Sequence, residues 1–260
     1  MVHMSLFIFD VGGVFRDSSK AINEGYKKGF IAAGLNYNFY SENIWHLRGI
    51  GKYNRSNNCI KALLAMQKTN YNLSEIIHAV DAETKIDEIT KNDLNNENEK
   101  IVDFIEKEYK KFFNSQEANN LIKLYPNARN NIDLLYDKGY RLAIFTNSSV
   151  LTVKRDLKEF DLDKFSLIIS EEDVKNKKPS GEGIEKIIAE INEDKRQTFY
   201  IGDSVVDIRA AKNAGCKSVA LLSGMGLEIH IRKENPDFIF GNLTEMTNYF
   251  VNASTKNEIK

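Results

Sequence analysis

In Ser5-Leu6-Phe7-Ile8-Phe9-Asp10-Val11-Gly12-Gly13-Val14 an apolar, aromatic-rich run stops at a carboxylate, and two glycines follow. Such a run reads as a buried parallel strand. The glycines permit a tight turn and a close approach of backbone to a ligand. Asp10 therefore falls where a strand ends and a loop begins, the place at which open α/β sheets bind ligands. Alone, an Asp in this setting is more often a turn cap. Three later stretches decide otherwise.

Those stretches lie in the second half of the chain, where strand and helix patterns alternate. Arg141-Leu142-Ala143-Ile144-Phe145 reads as a strand that ends in Thr146-Asn147-Ser148-Ser149. Lys178-Pro179-Ser180 stands before a helical pattern that begins at Gly181. Thr198-Phe199-Tyr200-Ile201-Gly202 reads as a strand that ends in Asp203, and the following helix carries Asp207. Further strands are predicted at 166–169, 217–222 and 237–240, and further helices at 127–138, 151–160 and 243–250. Alternation of this kind implies an α/β fold with a Rossmann-like parallel sheet and right-handed crossovers. Between Lys20 and about Asn120 the apolar residues recur at helical spacing instead, as in Ala21, Ile22, Gly25, Tyr26, Gly29 and Phe30. No strand is predicted there. The first strand belongs with the later ones, so the helical block is an inserted all-α domain. The expected partition is a core of residues 1–17 and 121–252, a helical insertion of 18–120, and a frayed tail of 253–260.

Composition bounds the function classes. The chain has 260 residues, enough for one large domain or for a core plus an insertion. Its net charge of -1 gives no bulk electrostatic reason to bind nucleic acid or an anionic membrane. The short apolar run at the start is broken by Asp10, which fits neither a signal peptide nor a membrane span. Cys59 and Cys216 are far apart and make no metal-type pair, so they read as buried free thiols in a reducing cytoplasm. A soluble monomer or homodimer is expected.

In a parallel sheet the carboxyl edges of the strands lie on one side. Asp10, Thr146 with Asn147, and Asp203 with Asp207 can therefore converge, and Lys178 begins a helix between two of those strands. Carboxylates are hard oxygen ligands for Mg2+. An ammonium and a hydroxyl neutralise and hydrogen-bond phosphate oxygens. A carboxylate can also act as a nucleophile and form an aspartyl-phosphate. The set suits a phosphoryl group together with magnesium.

The ordered motifs Phe9-Asp10-Val11-Gly12-Gly13-Val14, Ile144-Phe145-Thr146-Asn147, Lys178-Pro179-Ser180 and Gly202-Asp203-Ser204-Val205-Val206-Asp207-Ile208 resemble those of the haloacid dehalogenase-like hydrolase superfamily with a helical cap. The resemblance runs along essentially the whole chain. It is to the helical-cap phosphatase group, which includes phosphoglycolate phosphatases and β-phosphoglucomutase-like proteins. It implies a Mg2+-dependent phosphatase acting on a small phosphorylated metabolite. By resemblance, Asp10 is the nucleophile and a metal ligand, and Lys178 pairs with it and with the phosphate. Thr146 and Asn147 would bind the phosphate. Asp203 would be a direct metal ligand and Asp207 a second ligand or an orienting group. The carbonyl of Gly12 would complete the metal site. Arg48, Gly49 and Lys52 resemble the substrate loop of helical caps, with an ordinary interhelical turn as the even alternative. Arg16 and Asp17 fall where the hinge to the cap is expected.

One position departs from the family. Phosphatases of this family usually carry a second Asp, the general acid and base, where this chain has Gly12. Such a group contributes roughly 10²–10⁴-fold to rate. Its loss points to slow turnover or to leaving groups that need little protonation, unless His46, Arg48 or Lys52 supplies the proton. Three alternatives remain: a phosphotransferase or mutase using the same intermediate; a dehalogenase, which also uses an Asp nucleophile but no metal and which the acidic pair Asp203 and Asp207 argues against; and a catalytically impaired member kept as a binding protein.

Overall fold

The computed structural model describes residues 5–69, 71–93 and 96–255. The chain divides into two compact units. One comprises Met1–Arg16, Leu124–Gly224 and Ile231–Lys260; the other comprises Asp17–Lys123 and Met225–His230.

The first unit is an α/β core built on six parallel strands. Across the sheet they run Leu167–Ile169, Arg141–Phe145, Leu6–Phe9, Thr198–Gly202, Lys217–Leu221 and Phe238–Phe240. The first strand in sequence thus lies inside the sheet, flanked on both sides by strands made more than a hundred residues later. All four of its residues are fully buried. Their side chains alternate between faces, as strand geometry requires. Leu6 and Ile8 join Phe145, Ile184, Ile187 and Tyr200 on one side. Phe7 and Phe9 join Ile132, Leu135, Ile144, Phe199 and Ile201 on the other. Phe7 is the centre of an aromatic group: it stacks on Tyr140 at 4.5 Å and meets Phe199 and Phe250 edge-on at 5.3 and 4.9 Å.

Register carries this packing to the site. Phe9 is level with Ile144 on one neighbour and with Ile201 on the other. Asp10 therefore stands level with Phe145 and Gly202, one residue short of Thr146 and Asp203. The polar ends of three strands meet because their apolar bodies are aligned.

Between Ser19 and Asn119 the described residues of the second unit form only helices and connecting segments, as the helical spacing predicts. Helix Ser19–Ala32 packs on helix Asn96–Phe113, where Tyr26 stacks on Tyr109 at 4.6 Å. The two backbones approach closely at Gly29, where an added Cβ would stand 2.8 Å from the carbonyl oxygen of Ile105. The sequence reading divides the chain only at 18–120. In the structure a second segment, Met225–His230, belongs to the helical unit as well. Met225 is buried in its apolar cluster. The carbonyl of Met225 lies 2.9 Å from His46 Nδ1, and His230 Nε2 lies 2.6 Å from the carbonyl of Ile77. A short Gly-flanked loop gives no periodic signal, so this allegiance is invisible in sequence. The last helix, Leu243–Thr255, extends past the predicted end at Phe250; residues 256–260 of the expected tail lie outside the described residues. No helix among the described residues is long and apolar enough to cross a membrane.

Truncation of a buried Phe costs about 3–5 kcal/mol. Phe7→Ala is therefore expected to lower the stability of the α/β unit by that amount, measured as a shift of the urea unfolding midpoint. Loss of less than about 1 kcal/mol would show that the aromatic group does not anchor the sheet.

Candidate active site

Asp10, Thr146, Lys178, Asp203 and Asp207 are all buried at the carboxyl edge of the sheet. One carboxylate oxygen from each of Asp10, Asp203 and Asp207 falls within a single group no more than 4.8 Å apart. Lys178 Nζ lies 3.0 Å from Asp10 Oδ1 and 2.6 Å from Asp207 Oδ1. It also sits over the rings of Phe145 and Tyr200, 5.8 and 5.7 Å from their centres. Burial alone would pull the Lys178 ammonium down, but Asp10 and Asp207 outweigh it and push its pKa up to about 12. Lys178 is therefore a fixed positive charge at neutral pH. Burial raises the Asp10 carboxyl above its usual range; Lys178 pulls it back down, Asp207 pushes it up, and the Thr146 hydroxyl hydrogen-bonds the charged form.

Asp207 is the most heavily engaged of the acids. Its Oδ1 accepts from Lys178 Nζ and, at 3.3 Å, from the Tyr200 hydroxyl. Its Oδ2 accepts from the amides of Asp203 and Ser204 at 3.3 and 3.0 Å and from Ser204 Oγ at 2.6 Å. With Ser204 it forms a capping box at the start of helix Val205–Ala214. Asp207 thus fixes both the lysine and the turn that carries Asp203. Tyr200 hydrogen-bonds the carbonyl of Phe145 at 2.9 Å, and burial holds its hydroxyl well above the ordinary tyrosine range, so it acts only as a neutral donor.

Two glycines leave room for Asp203. An added Cβ at Gly13, whose φ is +76°, would fall 1.8 Å from Asp203 Oδ2; one at Gly224 would fall 2.1 Å away. The site is thus a cradle of oxygen donors into which no larger backbone neighbour fits. It carries three carboxylates and one ammonium, a set that is short of positive charge by count. A hard divalent cation fits such a donor set.

The other predicted residues are placed as follows. Thr146 Oγ1 accepts from the Ser148 amide at 3.2 Å, which orients its hydroxyl. Asn147 Oδ1 accepts from the Lys178 amide at 3.1 Å, so its side-chain NH2 group is turned away from that bond. In the helical unit, Arg48 Nη1 donates to the Tyr26 hydroxyl at 2.6 Å, and Lys52 pairs with Asp87 at 2.9 Å. Gly49 is fitted against the Met225 carbonyl, 2.4 Å from where its Cβ would be. Arg48 and Lys52 thus have partners within their own unit.

Some residues of this region escape sequence reasoning. Tyr200 reads only as a strand residue, although its period-2 position on the face of Ile8 marks it. Glu182 reads only as a helical surface acid. Its carboxylate accepts from the amides of Lys175 and Asn176, both at 2.9 Å, and so clasps the loop that leads to Lys178. The Lys178-Pro179 peptide bond in that loop is cis.

The haloacid dehalogenase-like hydrolase family model matches residues 7–221, which contain Asp10, Thr146, Lys178, Asp203 and Asp207. With the fold and the site, this defines the class: the chain belongs to the haloacid dehalogenase-like hydrolase family. Among curated relatives, a phosphoglycolate phosphatase of Haemophilus influenzae is 32% identical over 136 residues, covering 52% of this chain and 61% of that protein. The pyrophosphatase PpaX of Halalkalibacterium halodurans is 31% identical over 127 residues, covering 48% and 59%. The chain thus spans about three-fifths of the length of these relatives. Among solved structures, a hydrolase from Pseudomonas syringae superposes with a TM-score of 0.67 at 18% identity, covering 96% of this chain and 99% of that one. A haloacid dehalogenase-like family hydrolase from Streptococcus pneumoniae gives 0.63 at 18% identity, covering 96% and 100%. These likenesses bear on the fold.

Two outcomes follow from the geometry. Backbone amides and neighbouring donors lower the Glu182 carboxyl from 4.5 to about 2. The folded state thus favours the ionised form, and the clasp contributes fully above pH 4.5 and is lost as pH falls through about 2. Parent and Glu182→Gln melting temperatures are expected to differ near neutrality and to converge on acidification; a constant gap would refute the clasp. Gly13→Ala is expected to disrupt Asp203 while leaving the far-UV circular dichroism near that of the parent, with metal affinity read by calorimetry as the measure.

Proposed function

We propose that the chain is a Mg2+-dependent phosphatase of small phosphorylated metabolites, working through an aspartyl-phosphate. The observation that carries this reading is the Lys178 ammonium held between the Asp10 and Asp207 carboxylates at 3.0 and 2.6 Å. Phosphatase relatives support it, as do the oxygen donors around Asp203. The Asp10 and Asp203 side chains and the Gly12 carbonyl would hold the metal, with Asp207 orienting the group. A bound Mg2+ would supply charge neutralisation for the phosphoryl group.

The remaining roles belong to the chain itself. An Asp10 oxygen attacks phosphorus. Lys178 offsets negative charge on both the nucleophile and the phosphoryl oxygens, and its two carboxylate partners keep it in place. The Thr146 hydroxyl and the Asn147 amide donate to the phosphate. In the helical unit, Arg48, Gly49 and Lys52 are proposed to select the substrate, as the resemblance suggests. Two buried free cysteines support a cytoplasmic setting.

Phosphate release from a panel of small esters is expected to require Mg2+, to stop on chelation, and to be abolished by Asp10→Asn. Lys178→Met is expected to give the same loss of turnover and, by leaving buried carboxylates unpaired, to lower stability as well. Turnover that survives Asp10→Asn would overturn the covalent route.

A further inference from the structure

Gly12, where phosphatase relatives are expected to carry an acid–base group, faces a guanidinium. The backbone turns back on itself after Val11. The amides of Phe15 and Arg16 both reach the Val11 carbonyl at 3.1 Å, and the Gly13 amide reaches the Arg16 carbonyl at 2.9 Å. Gly12 and Arg16 pair as an isolated bridge. The turn brings the Arg16 side chain to position 12. An added Cβ at Gly12 would have one near neighbour, Arg16 Nη2, at an ordinary contact distance of 3.6 Å. The position is open, its backbone suits any residue, and it looks onto positive charge.

Arg16 is only 5% exposed. Its Nη1 is paired with Asp156, and its Nη2 makes one long bond, 3.4 Å, to Ser148 Oγ. Its buried Nε has no hydrogen-bond partner among the described residues. A guanidinium has five N–H donors, so donors remain. Asp156 is also held by Arg155, whose Nε and Nη2 lie 3.1 and 2.8 Å from its Oδ1. One carboxylate thus serves two guanidiniums, and the cluster has a surplus of positive charge. Ser148 joins the cluster to the phosphate-binding turn, since its amide donates to Thr146. A salt bridge needed only for packing would not require spare donors beside an open position.

We propose that Arg16 receives the leaving group, and that the substrates are phosphoanhydrides or acyl phosphates, whose leaving oxygen is already a stable anion. This deepens the phosphatase reading and rests on it. Arginine does not give up its proton in proteins, so it replaces acid catalysis by charge stabilisation. In the first step an Asp10 oxygen bonds to phosphorus and the bond from phosphorus to the leaving oxygen breaks. The electron pair stays on that oxygen, which departs as an anion beside Arg16. In the second step a water oxygen bonds to phosphorus, the bond to Asp10 breaks, and the pair returns to the carboxylate. Both water protons leave on inorganic phosphate. With no base at position 12 the second step is slow, and the aspartyl-phosphate accumulates.

The test compares parent, Gly12→Asp and Arg16→Gln on acetyl phosphate, pyrophosphate, p-nitrophenyl phosphate and glycerol phosphate. The parent is expected to favour acetyl phosphate or pyrophosphate over glycerol phosphate in kcat/KM, and to release p-nitrophenolate in a burst of about one per chain. Gly12→Asp is expected to raise turnover of glycerol phosphate by roughly 10²–10⁴-fold, the usual worth of a general acid–base group, and to abolish the burst. Arg16→Gln is expected to flatten the preference for acidic leaving groups, which loss of packing alone would not do. If Arg16→Gln does not fold, Gly12→Asp decides by itself. Similar kcat/KM for glycerol phosphate and acetyl phosphate in the parent, or a preference untouched by Gly12→Asp, would overturn the inference and leave the phosphatase reading intact. Silence of the parent on all four compounds, equal to that of Asp10→Asn, would overturn both.

Discussion

A buried ammonium is the constraint on which the site depends. Carboxylates as close as those of Asp10, Asp203 and Asp207 repel one another, and burial makes each charge costly. Lys178 makes the arrangement tolerable, and the arrangement in turn keeps Lys178 charged. Much of the surrounding structure serves to hold that one nitrogen. Asp207 is pinned by Ser204 and Tyr200, the lysine backbone by Asn147, and the preceding loop by Glu182. Positioning and preorganised charge are what phosphoryl transfer asks of a protein.

The fold was legible in the sequence because its signals are local. Leu6–Phe9 and Thr198–Gly202 are continuous apolar runs ended by Asp, and each becomes a central strand. Alternation gave the parallel sheet, and a hundred residues of helical spacing gave the inserted unit. Asp10, Thr146 and Asp203 stand at the ends of such runs, Lys178 stands before a helical pattern, and Asp207 lies in the helix after Asp203, so their meeting at one edge could be expected from position. The structure brings them together.

What was not legible depends on side-chain direction. Arg16 reads as a hinge residue because it follows a turn; only the return of the backbone to Val11 shows that its guanidinium faces Gly12. Glu182 and Tyr200 gain their roles from partners on other segments. Arg48 and Lys52 read as basic residues free for a ligand, yet each has found an acceptor in its own unit. Spacing along a chain names the atoms available at an edge, but it does not say which of them are already spoken for.

The membership of Met225–His230 in the helical unit bears on the order of assembly. That unit's apolar cluster includes Met225, more than a hundred residues after its last helix. The α/β sheet has the same property at its other end, since Leu6–Phe9 lies between strands from 141–145 and 198–202. During synthesis neither unit can close its core when its own first residues emerge. The helical unit waits for the chain to reach His230, and the first strand waits for both neighbours. Contacts of such long sequence separation slow folding, and they couple the completion of the two units to nearly the same moment.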